Sequence, residues 1–451
     1  MKFQSINPYN GDKIAEYTAL SKEELDQKLS DSAVAFKNWC QQPLSQRTNL
    51  LKKAGEILRK NKDEYAKTIT LEMGKPISES ISEIEKCAWV CDYYAEHAEE
   101  FLANEVIKTD ASKSFVRHDP IGSVFAVMPW NFPFWQVFRF AAPTLTSGNT
   151  GLLKHASNVF GCAQIIEDVF TQAGYPKGVF QSLVVDHDVT ERIISHKTVK
   201  AITLTGSEKA GSTVAQIAGK HLKKSLLELG GSNAFIILED ADLDLAIKTA
   251  VKARMLNSGQ SCIAAKRFII HESVYDKFVS EFINEVRQLE VGDPALETTE
   301  IGPLARKDLA DELQKQVRTS ILQGAELLLG GEQNNCFHEP TVLGGVTRDM
   351  AVFKEETFGP VAAMIKFKSI EVAFDLSEES QFGLGVSLFT KDTSKAEKYA
   401  DKVSDGALFI NELVKSDPRL PFGGTKKSGY GRELAKDGMM EFINRKVVYV
   451  K

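Results

Sequence analysis

The sequence predicts an α/β protein with two parallel-sheet domains, and three observations lead to this prediction. A helical pattern fills the first hundred residues. From Gly122 onward, short apolar runs alternate with helical segments, the βαβ pattern of a parallel sheet, and after Gly231 a second such series begins. At 451 residues with 43% hydrophobic and 26% charged, the chain is too long for one compact core. Two or three domains are therefore expected.

The individual elements follow from local patterns. The capping box from Ser21 to Glu24 opens a helical layer that continues with apolar residues at helical spacing through Leu50, Ala54 and Leu58. The predicted strands of the first sheet are SVFAVM, TGLLK, FQSLVV, KAITLTG and KSLLELGG, with a helix from Val159 to Ala173. Those of the second are AFIIL, KRFIIH, PVAAMIKF and GVSLFT, around helices near Ala246–Leu256 and Leu309–Leu322. SKSFVRHDP and RKVVYVK stand outside both series and suit sheet edges that pair with another subunit.

Composition and charge favour an enzyme acting on small molecules. With 55 basic and 61 acidic residues, the net charge of −6 indicates neither a nucleic acid nor an anionic membrane as partner. No apolar run approaches the roughly 18 residues of a membrane span, and MKFQSINPYN lacks a signal-peptide core, so a cytoplasmic protein is expected. The six cysteines are expected to be reduced thiols, and no metal site is predicted.

Four positions carry residues suited to binding or catalysis, and each also has a purely structural explanation. Ser207 follows Gly206 at a strand-to-helix junction, where a helix N-terminus binds phosphate or where a serine simply caps the helix. Cys262 in NSGQSC is a candidate nucleophile or a small core residue. Glu228 in SLLELGG is a desolvated base or a solvent-facing carboxylate. Asn131 in VMPWNFPFW is an oxyanion donor or part of an aromatic core corner.

Taken together and in this order, PWNFP, TGSEKAG, LELGG, GQSC and EETFGP closely resemble the aldehyde dehydrogenase superfamily over nearly the whole chain. The resemblance implies a Rossmann-like cofactor-binding domain without GxGxxG (residues 1–102 and 119–228). It also implies a catalytic α/β domain (229–434) and a small β oligomerisation element (103–118 and 435–451). A homodimer or homotetramer is expected.

The resemblance also implies roles for individual residues. Cys262 resembles the nucleophile that forms a thiohemiacetal and then a thioester, Glu228 the base that activates the hydrolytic water, and Asn131 the oxyanion donor. Glu433 in GRELAKDG resembles a second glutamate used in proton relay, with an exposed helix carboxylate as the alternative.

Cofactor residues are implied in the same way. Gly206 and Ser207 resemble the pyrophosphate loop, Lys154 the lysine of the adenosine ribose, and Glu356 and Phe358 the residues of the nicotinamide ribose and ring.

Trp130 is counted among these cofactor residues. Ser157 is expected to determine the preference between NADP and NAD. Many NAD-preferring relatives carry a glutamate where this chain has Ser157, so NADP is the preferred expectation and NAD the alternative. A helix N-cap without a cofactor role is the plain alternative for Ser157.

Within the superfamily, the pattern with LLKHA and KRFII most resembles the short bacterial succinate-semialdehyde dehydrogenases. Arg139 is the expected clamp for the substrate carboxylate, assisted by Ser416, with Trp135 as tunnel wall or core filler. Arg254 and Arg419 are further cations, for which a surface ion pair is the alternative.

Other substrates and activities stay open. They are glutarate semialdehyde, an uncharged aliphatic aldehyde and, more remotely, cofactor-independent cysteine hydrolysis.

Overall fold

The computed structural model describes residues 1–451 and contains two large sheets flanked by helices, as the apolar runs predicted. The helices are α1 (Lys22–Trp39), α2 (Leu44–Lys60), α3 (Lys62–Met73), α4 (Ile77–Phe101), α5 (Trp135–Thr146), α6 (Phe160–Ala173), α7 (Thr190–Ser195), α8 (Glu208–Lys220), α9 (Leu243–Met255), α10 (Glu272–Val286), α11 (Lys307–Leu322), α12 (Ala351–Lys354), α13 (Ile370–Glu378), α14 (Thr393–Glu397) and α15 (Ala435–Met440). Short 3-10 turns span Ser157–Val159, His187–Val189, Leu256–Gly259 and Lys398–Lys402.

The strands are β1 (Lys2–Ile6), β2 (Lys13–Thr18), β3 (Glu105–Val106), β4 (Lys113–Pro120), β5 (Ser123–Met128), β6 (Thr150–His155), β7 (Phe180–Ser182), β8 (Val199–Thr205), β9 (Lys224–Glu228), β10 (Asn233–Ile237), β11 (Ala265–His271), β12 (Glu326–Leu329), β13 (Gln333–Asn334), β14 (Phe337–His338), β15 (Thr341–Gly344), β16 (Val361–Phe367), β17 (Phe382–Gly383), β18 (Val386–Phe389), β19 (Leu408–Ile410), β20 (Thr425–Lys426), β21 (Gly429–Tyr430) and β22 (Ile443–Val450). Every strand predicted for the two sheets coincides with one of these observed strands. The predicted α/β fold class is confirmed.

The first large sheet has the strand order β21-β9-β8-β5-β6-β7 and is parallel except for β21. Because its central strands are covered by helices on both faces, almost every residue from Val124 to Met128 is buried, and the strand reads as a continuous apolar run. β21 comes from the far end of the chain and pairs with β9 at Glu228. The base predicted from the sequence therefore lies where the two halves of the chain meet.

The second large sheet has the order β12-β15-β16-β11-β10-β18-β19, with only β12 antiparallel. β10 and β11 occupy its centre, and the chain between them holds α9 and the turn that ends at Cys262. None of the helices combines the length and the apolar composition that a membrane span requires.

The two isolated strand-like segments pair with each other. β22 runs antiparallel to β4 from Ile443 opposite Pro120 to Val450 opposite Lys113, and β3 adds a third strand. The sheet leaves Val447 71% exposed and Val106 83% exposed. An apolar surface of this kind is suited to contact with another subunit.

The N-terminal layer differs from the prediction at its start. The capping box of Ser21 and Glu24 is present and opens α1. Before it, β1 and β2 form an antiparallel hairpin that the sequence analysis did not predict. Its residues are mostly exposed and carry little apolar pattern, so packing of Phe3 against Phe160, with ring centroids 5.2 Å apart, is what fixes it.

The Glu83 carboxylate on α4 forms a buried ion pair with Lys75 and also joins α4 to the start of α5. The side chains of Lys75 and Glu83 are 0% and 2% exposed and form a salt bridge. Glu83 Oε1 also accepts hydrogen bonds from the backbone N–H groups of Phe134 (2.8 Å) and Trp135 (2.9 Å), so the carboxylate caps the first turn of α5. Lys75 Nζ lies 3.8 Å from the centroid of the Phe132 ring.

Removal of one partner should destabilise the protein strongly. In Lys75→Met, Glu83 stays buried without its counter-ion, and we expect a loss of about 3–5 kcal/mol in the free energy of unfolding. Because the neutral Glu83→Gln side chain still accepts from the α5 backbone, the double variant should recover most of this loss. Urea unfolding of the three proteins, followed by tryptophan fluorescence, measures both values. A single variant within about 1 kcal/mol of wild type would contradict this account of the pair.

Candidate active site

A cavity of about 300 Å³ holds the candidate nucleophile. Its wall includes Phe132, Trp135 and Arg139 from the α5 region, Lys86 from α4, Cys262 and Ser416. Residues far apart in the sequence thus meet at one site. This agrees with the prediction that Arg139, Trp135 and Ser416 border the space in front of the cysteine.

The predicted oxyanion donor is rigidly held next to the cysteine loop. The Asn131 side chain is buried, and its Nδ2 donates to the Gln260 carbonyl at 3.0 Å. Gln136 Nε2 donates to Asn131 Oδ1 at 3.1 Å, which fixes the amide plane. One hydrogen of the Asn131 amide therefore stays available for an oxygen bound at the cysteine.

The turn before the cysteine contains strained backbone. Asn257 and Ser258 have φ angles of 55° and 51°, in the left-handed region that non-glycine residues rarely adopt. Asn257 Nδ2 donates to the Asn131 carbonyl at 2.8 Å, and its backbone N–H donates to Glu79 Oε2 at 2.7 Å. These contacts hold the strained turn against the segment that carries Asn131.

Cys262 is half-buried and its carbonyl is anchored by a lysine. Lys266 Nζ donates to the carbonyls of Cys262 (2.8 Å) and Ser261 (2.9 Å). Burial raises the pKa of the Cys262 thiol to about 11, although the charges of Lys266 and Arg139 oppose the shift. In the resting protein the thiol is therefore protonated at neutral pH. Lys266 was not among the predicted site residues, and its position four residues after the candidate nucleophile was the available signal.

Glu228 is 2% exposed at the end of β9, so the alternative of a solvent-facing carboxylate is wrong. Burial raises its pKa well above the ordinary value, and the negative charge of Glu433 adds to the shift. Glu433 is 4% exposed and precedes α15, so the alternative of an exposed helix carboxylate is also wrong. Burial likewise raises the pKa of Glu433.

Arg139 lies on the cavity wall but already has an anionic partner. Its Nε lies 2.5 Å from Glu433 Oε2, and its Nη2 donates to Thr205 Oγ1 at 3.2 Å. The guanidinium also lies 4.7 Å from the centroid of the Phe422 ring. Its predicted role as the carboxylate clamp stays a prediction, and its charge is shared with the candidate relay glutamate.

The two further arginines differ from each other. Arg419 forms an ion pair with Asp417 at 2.6 Å, so the alternative of a surface ion pair holds for this residue. For Arg254 the surface alternative is wrong, because this side chain is fully buried and its Nη2 donates to the Gly259 carbonyl at 2.6 Å. It supports the turn before Cys262 from behind.

Trp135 and Ser416 are both buried and contact each other. Trp135 Nε1 donates to Ser416 Oγ at 3.1 Å, and Lys86 Nζ donates to the same oxygen at 2.9 Å. Lys86 was not among the predicted site residues. The sequence indicates its place only weakly. The one signal is the helical spacing of Glu79, Glu83 and Lys86 on α4, which puts these charged side chains on one helix face.

The predicted phosphate loop occupies a helix N-terminus. Ser207 is the N-cap of α8, and its Oγ accepts from the Ala210 N–H at 3.3 Å. Gly211, the second glycine of the motif, packs against the sheet, since a Cβ there would lie 2.5 Å from Leu229 Cδ2. The capping role of Ser207 is thus observed, and phosphate binding at Gly206 and Ser207 stays a prediction.

Lys154 and Ser157 present free polar groups at the end of β6. The Lys154 side chain forms no ion pair or hydrogen bond, and burial lowers its pKa. Ser157 is exposed and begins a 3-10 turn whose N-cap is Ala156, and its side chain makes no capping bond. The alternative that Ser157 acts as a helix N-cap is therefore wrong.

The two predicted nicotinamide residues, Glu356 and Phe358, and the predicted cofactor residue Trp130 cluster near the cysteine. Trp130 and Phe358 make an edge-to-face contact with centroids 5.8 Å apart. Glu356 Oε1 accepts from Lys266 Nζ and from the Gly231 N–H, both at 3.0 Å. Because Lys266 also holds the Cys262 carbonyl, this cluster is linked directly to the nucleophile loop.

Comparison with known proteins agrees with this site. The model of the Aldehyde dehydrogenase family matches residues 1–448. A probable succinate-semialdehyde dehydrogenase [NADP(+)] of Synechocystis sp. is 47% identical over the full length of both chains. A succinate semialdehyde dehydrogenase [NAD(P)+] of Escherichia coli is 44% identical, over 99% of this chain and 97% of that protein.

Among solved structures, succinic semialdehyde dehydrogenase from Streptococcus pyogenes in complex with NADP+ is 36% identical, with a TM-score of 0.97 over 99% of each chain. The resemblance seen in the five sequence motifs is confirmed. The chain belongs to the aldehyde dehydrogenase family.

Proposed function

We propose that the protein oxidises succinate semialdehyde to succinate with NADP as the electron acceptor, through a thiohemiacetal and a thioester of Cys262. The observation that carries this proposal is one cavity lined both by the Cys262 thiol and by the cationic side chains of Arg139 and Lys86. Such a cavity suits an aldehyde that ends in a carboxylate. The relatives named for this reaction support the same substrate and cofactor.

In the first half of the reaction, the Cys262 thiol releases its proton to solvent and its sulfur bonds to the aldehyde carbon. The carbonyl oxygen becomes an alkoxide that the Asn131 amide and the Cys262 backbone N–H stabilise by hydrogen bonds. Since Asn131 is already fixed by Gln136 and Gln260, little reorganisation is needed when this charge develops. Oxidation of the thiohemiacetal leaves a thioester on the sulfur.

In the second half, Glu228 accepts a proton from the water that attacks the thioester. The carbon–sulfur bond breaks, succinate is released and Cys262 regains a proton. Burial raises the pKa of Glu228 well above the ordinary value, so its carboxylate is a stronger base than that of an exposed glutamate. Glu433, whose negative charge raises the pKa of Glu228, would receive that proton in turn.

The residues present fit a phosphorylated dinucleotide. The unpaired Lys154 ammonium and the exposed Ser157 hydroxyl would hold the adenosine ribose and its 2′-phosphate, and the α8 N-terminus at Gly206 and Ser207 the pyrophosphate. Glu356, Phe358 and Trp130 would hold the nicotinamide end. When bound, the nicotinamide supplies the chemistry of hydride acceptance.

We also propose that the protein assembles as a homodimer or homotetramer through the small sheet of β3, β4 and β22. The exposed side chains of Val447 and Val106 support this, because a solvated sheet edge with apolar residues is otherwise prone to nonspecific association. Sedimentation velocity distinguishes the two assemblies from a monomer.

A panel of aldehydes of matched length tests the proposed function. We expect kcat/KM with NADP to be highest for succinate semialdehyde, lower for glutarate semialdehyde and at least tenfold lower for butanal, since only the acids engage the cations of the cavity. Formation of NADPH is followed by absorbance. Equal values for succinate semialdehyde and butanal would contradict the proposed substrate, and ester turnover without nucleotide would favour a hydrolase.

The nucleophile and the base should separate kinetically. Cys262→Ala should form no NADPH, because no thiohemiacetal can form. Glu228→Gln should give a burst of about one NADPH per active site and then turn over slowly, since oxidation proceeds and thioester hydrolysis limits the rate. Stopped-flow absorbance measures both. Normal steady-state turnover in either variant would show that its residue has another role.

Ser157 should set the choice of cofactor. We expect wild type to use NADP at least as well as NAD, and Ser157→Glu to shift the preference towards NAD by about 1–3 kcal/mol, because a carboxylate repels the 2′-phosphate. Ser157→Gln is the matched control, since it has the same length without the charge. The measurement is kcat/KM for each cofactor. An equal shift in both variants would indicate a steric effect rather than charge.

A further inference from the structure

Lys266 is a fully buried lysine whose three ammonium hydrogens are all engaged. Its side chain is 0% exposed. Nζ donates to the carbonyls of Ser261 at 2.9 Å and Cys262 at 2.8 Å, and to Glu356 Oε1 at 3.0 Å. An ammonium has three donors and no acceptor, so these contacts fill its hydrogen-bonding capacity. Lys266 is therefore not placed to bind a substrate itself, and any role in the reaction acts through the groups that it holds.

The two carbonyls lie on either side of the Cys262 Cα atom. The Ser261 carbonyl shares its peptide unit with the Cys262 N–H, and in a trans peptide these two groups point in opposite directions. An ammonium bound to the carbonyl consequently directs the N–H away from Lys266. This N–H donates to no acceptor of the chain, although buried backbone donors are normally paired. It is thus free for an oxygen bound at the cysteine.

The positive charge of Lys266 acts on the same peptide unit. A hydrogen bond from an ammonium polarises the Ser261 carbonyl, which makes the N–H of that peptide a stronger donor. Burial lowers the pKa of Lys266, the negative charge of Glu356 opposes this shift, and the positive charge of Arg254 adds to it. The Glu356 carboxylate, 3.0 Å from Nζ, therefore favours the charged ammonium.

Four titratable groups act on the Cys262 thiol, whose pKa burial raises to about 11. The positive charges of Lys266 and Arg139 oppose this rise. The negative charges of Glu356 and Glu228 add to it. Of the two cations, Lys266 has the larger effect, and it also contacts the backbone of the nucleophile. Removal of its charge would leave the thiolate less favoured.

We propose, resting on the function proposed above, that Lys266 is a positioning residue for attack on the aldehyde. It fixes and polarises the peptide between Ser261 and Cys262, so that the Cys262 N–H is oriented before the alkoxide charge develops, and its own charge favours the thiolate. Glu356 holds the lysine in turn, because its Oε1 accepts from Lys266 Nζ and from the Gly231 N–H. The lysine thereby joins the predicted nicotinamide ribose residue to the nucleophile.

Alkylation of Cys262 in nucleotide-free protein tests the effect of the charge without any substrate. The rate constant with iodoacetamide is measured by mass spectrometry of the Cys262 peptide at a pH of about 9, where the thiolate is a minor species. In Lys266→Met we expect it to fall about three- to tenfold, because a rise of about one unit in the thiol pKa lowers the thiolate fraction tenfold but raises its nucleophilicity by a smaller factor. Lys266→Arg keeps the charge and should restore most of the rate.

A single turnover with enzyme in excess tests the effect on the oxyanion. NADPH formation from succinate semialdehyde should be about 10- to 100-fold slower in Lys266→Met, less than the complete loss of an oxyanion donor costs. The inhibition constant of succinate should change less than about threefold, since bound succinate carries no developing alkoxide. Circular dichroism shows whether each variant is folded. Lys266→Gln removes the charge but keeps a polar side chain, and it replaces Lys266→Met in both measurements where the methionine variant is unfolded.

Lys252→Met is the matched control. Lys252 borders the same cavity from α9, but it is exposed and makes no contact with the carbonyls of the nucleophile loop. Both rates should stay within about twofold of wild type, because solvent screens an exposed charge. An unchanged alkylation or single-turnover rate in the folded Lys266 variant, or an equal loss in Lys252→Met, would overturn the role of Lys266. A wild type that does not oxidise succinate semialdehyde, while its alkylation still depends on Lys266, would instead overturn the proposed function.

Discussion

The site depends on one buried carboxylate, that of Glu83. It neutralises Lys75, caps the first turn of α5 and thereby fixes the turn that contains both Phe132 and Asn131. Without an acceptor, the backbone N–H groups at this helix start would be buried and unpaired, which is costly in a protein interior. Since α5 carries Arg139 and Trp135, the same carboxylate sets the position of the oxyanion donor and of two cavity walls.

Burial and the neighbouring positive charges have opposite effects on the protonation of the groups at the reaction centre. Burial disfavours the thiolate of Cys262 and the carboxylate of Glu228, so both groups rest in their neutral forms more than exposed ones would. Arg139 and Lys266 favour the charged form of Cys262 but are each held by a glutamate, Glu433 and Glu356.

The strands of both sheets could be predicted because buried parallel strands are uninterrupted apolar runs, as in β5 and β11. The N-terminal hairpin could not, since it is held by a contact between Phe3 and Phe160 that no local pattern shows. The same limit applies within the site. Motifs identified Cys262 and Glu228, whereas Lys86 belongs to the site only because a helix from the first hundred residues faces Ser416. The burial of Arg254 and Glu433 likewise depends on distant packing.

Glu228 obtains its environment from both ends of the chain. β9 ends at this residue and pairs with Gly429 of β21, where a side chain would collide with the Leu227 carbonyl because a Cβ would lie 2.0 Å from that oxygen. Gly423 is also constrained, since its Cβ would lie 2.7 Å from the Gly431 carbonyl oxygen and 2.9 Å from Glu228 Oε1. Ser428 closes the same region by donating to the Gly230 carbonyl. Glycines at these two positions therefore allow the C-terminal segment to approach closely enough to exclude solvent from Glu228. That exclusion raises its pKa, so the strength of the base is a property of the contact between β9 and the C-terminal segment rather than of β9 alone.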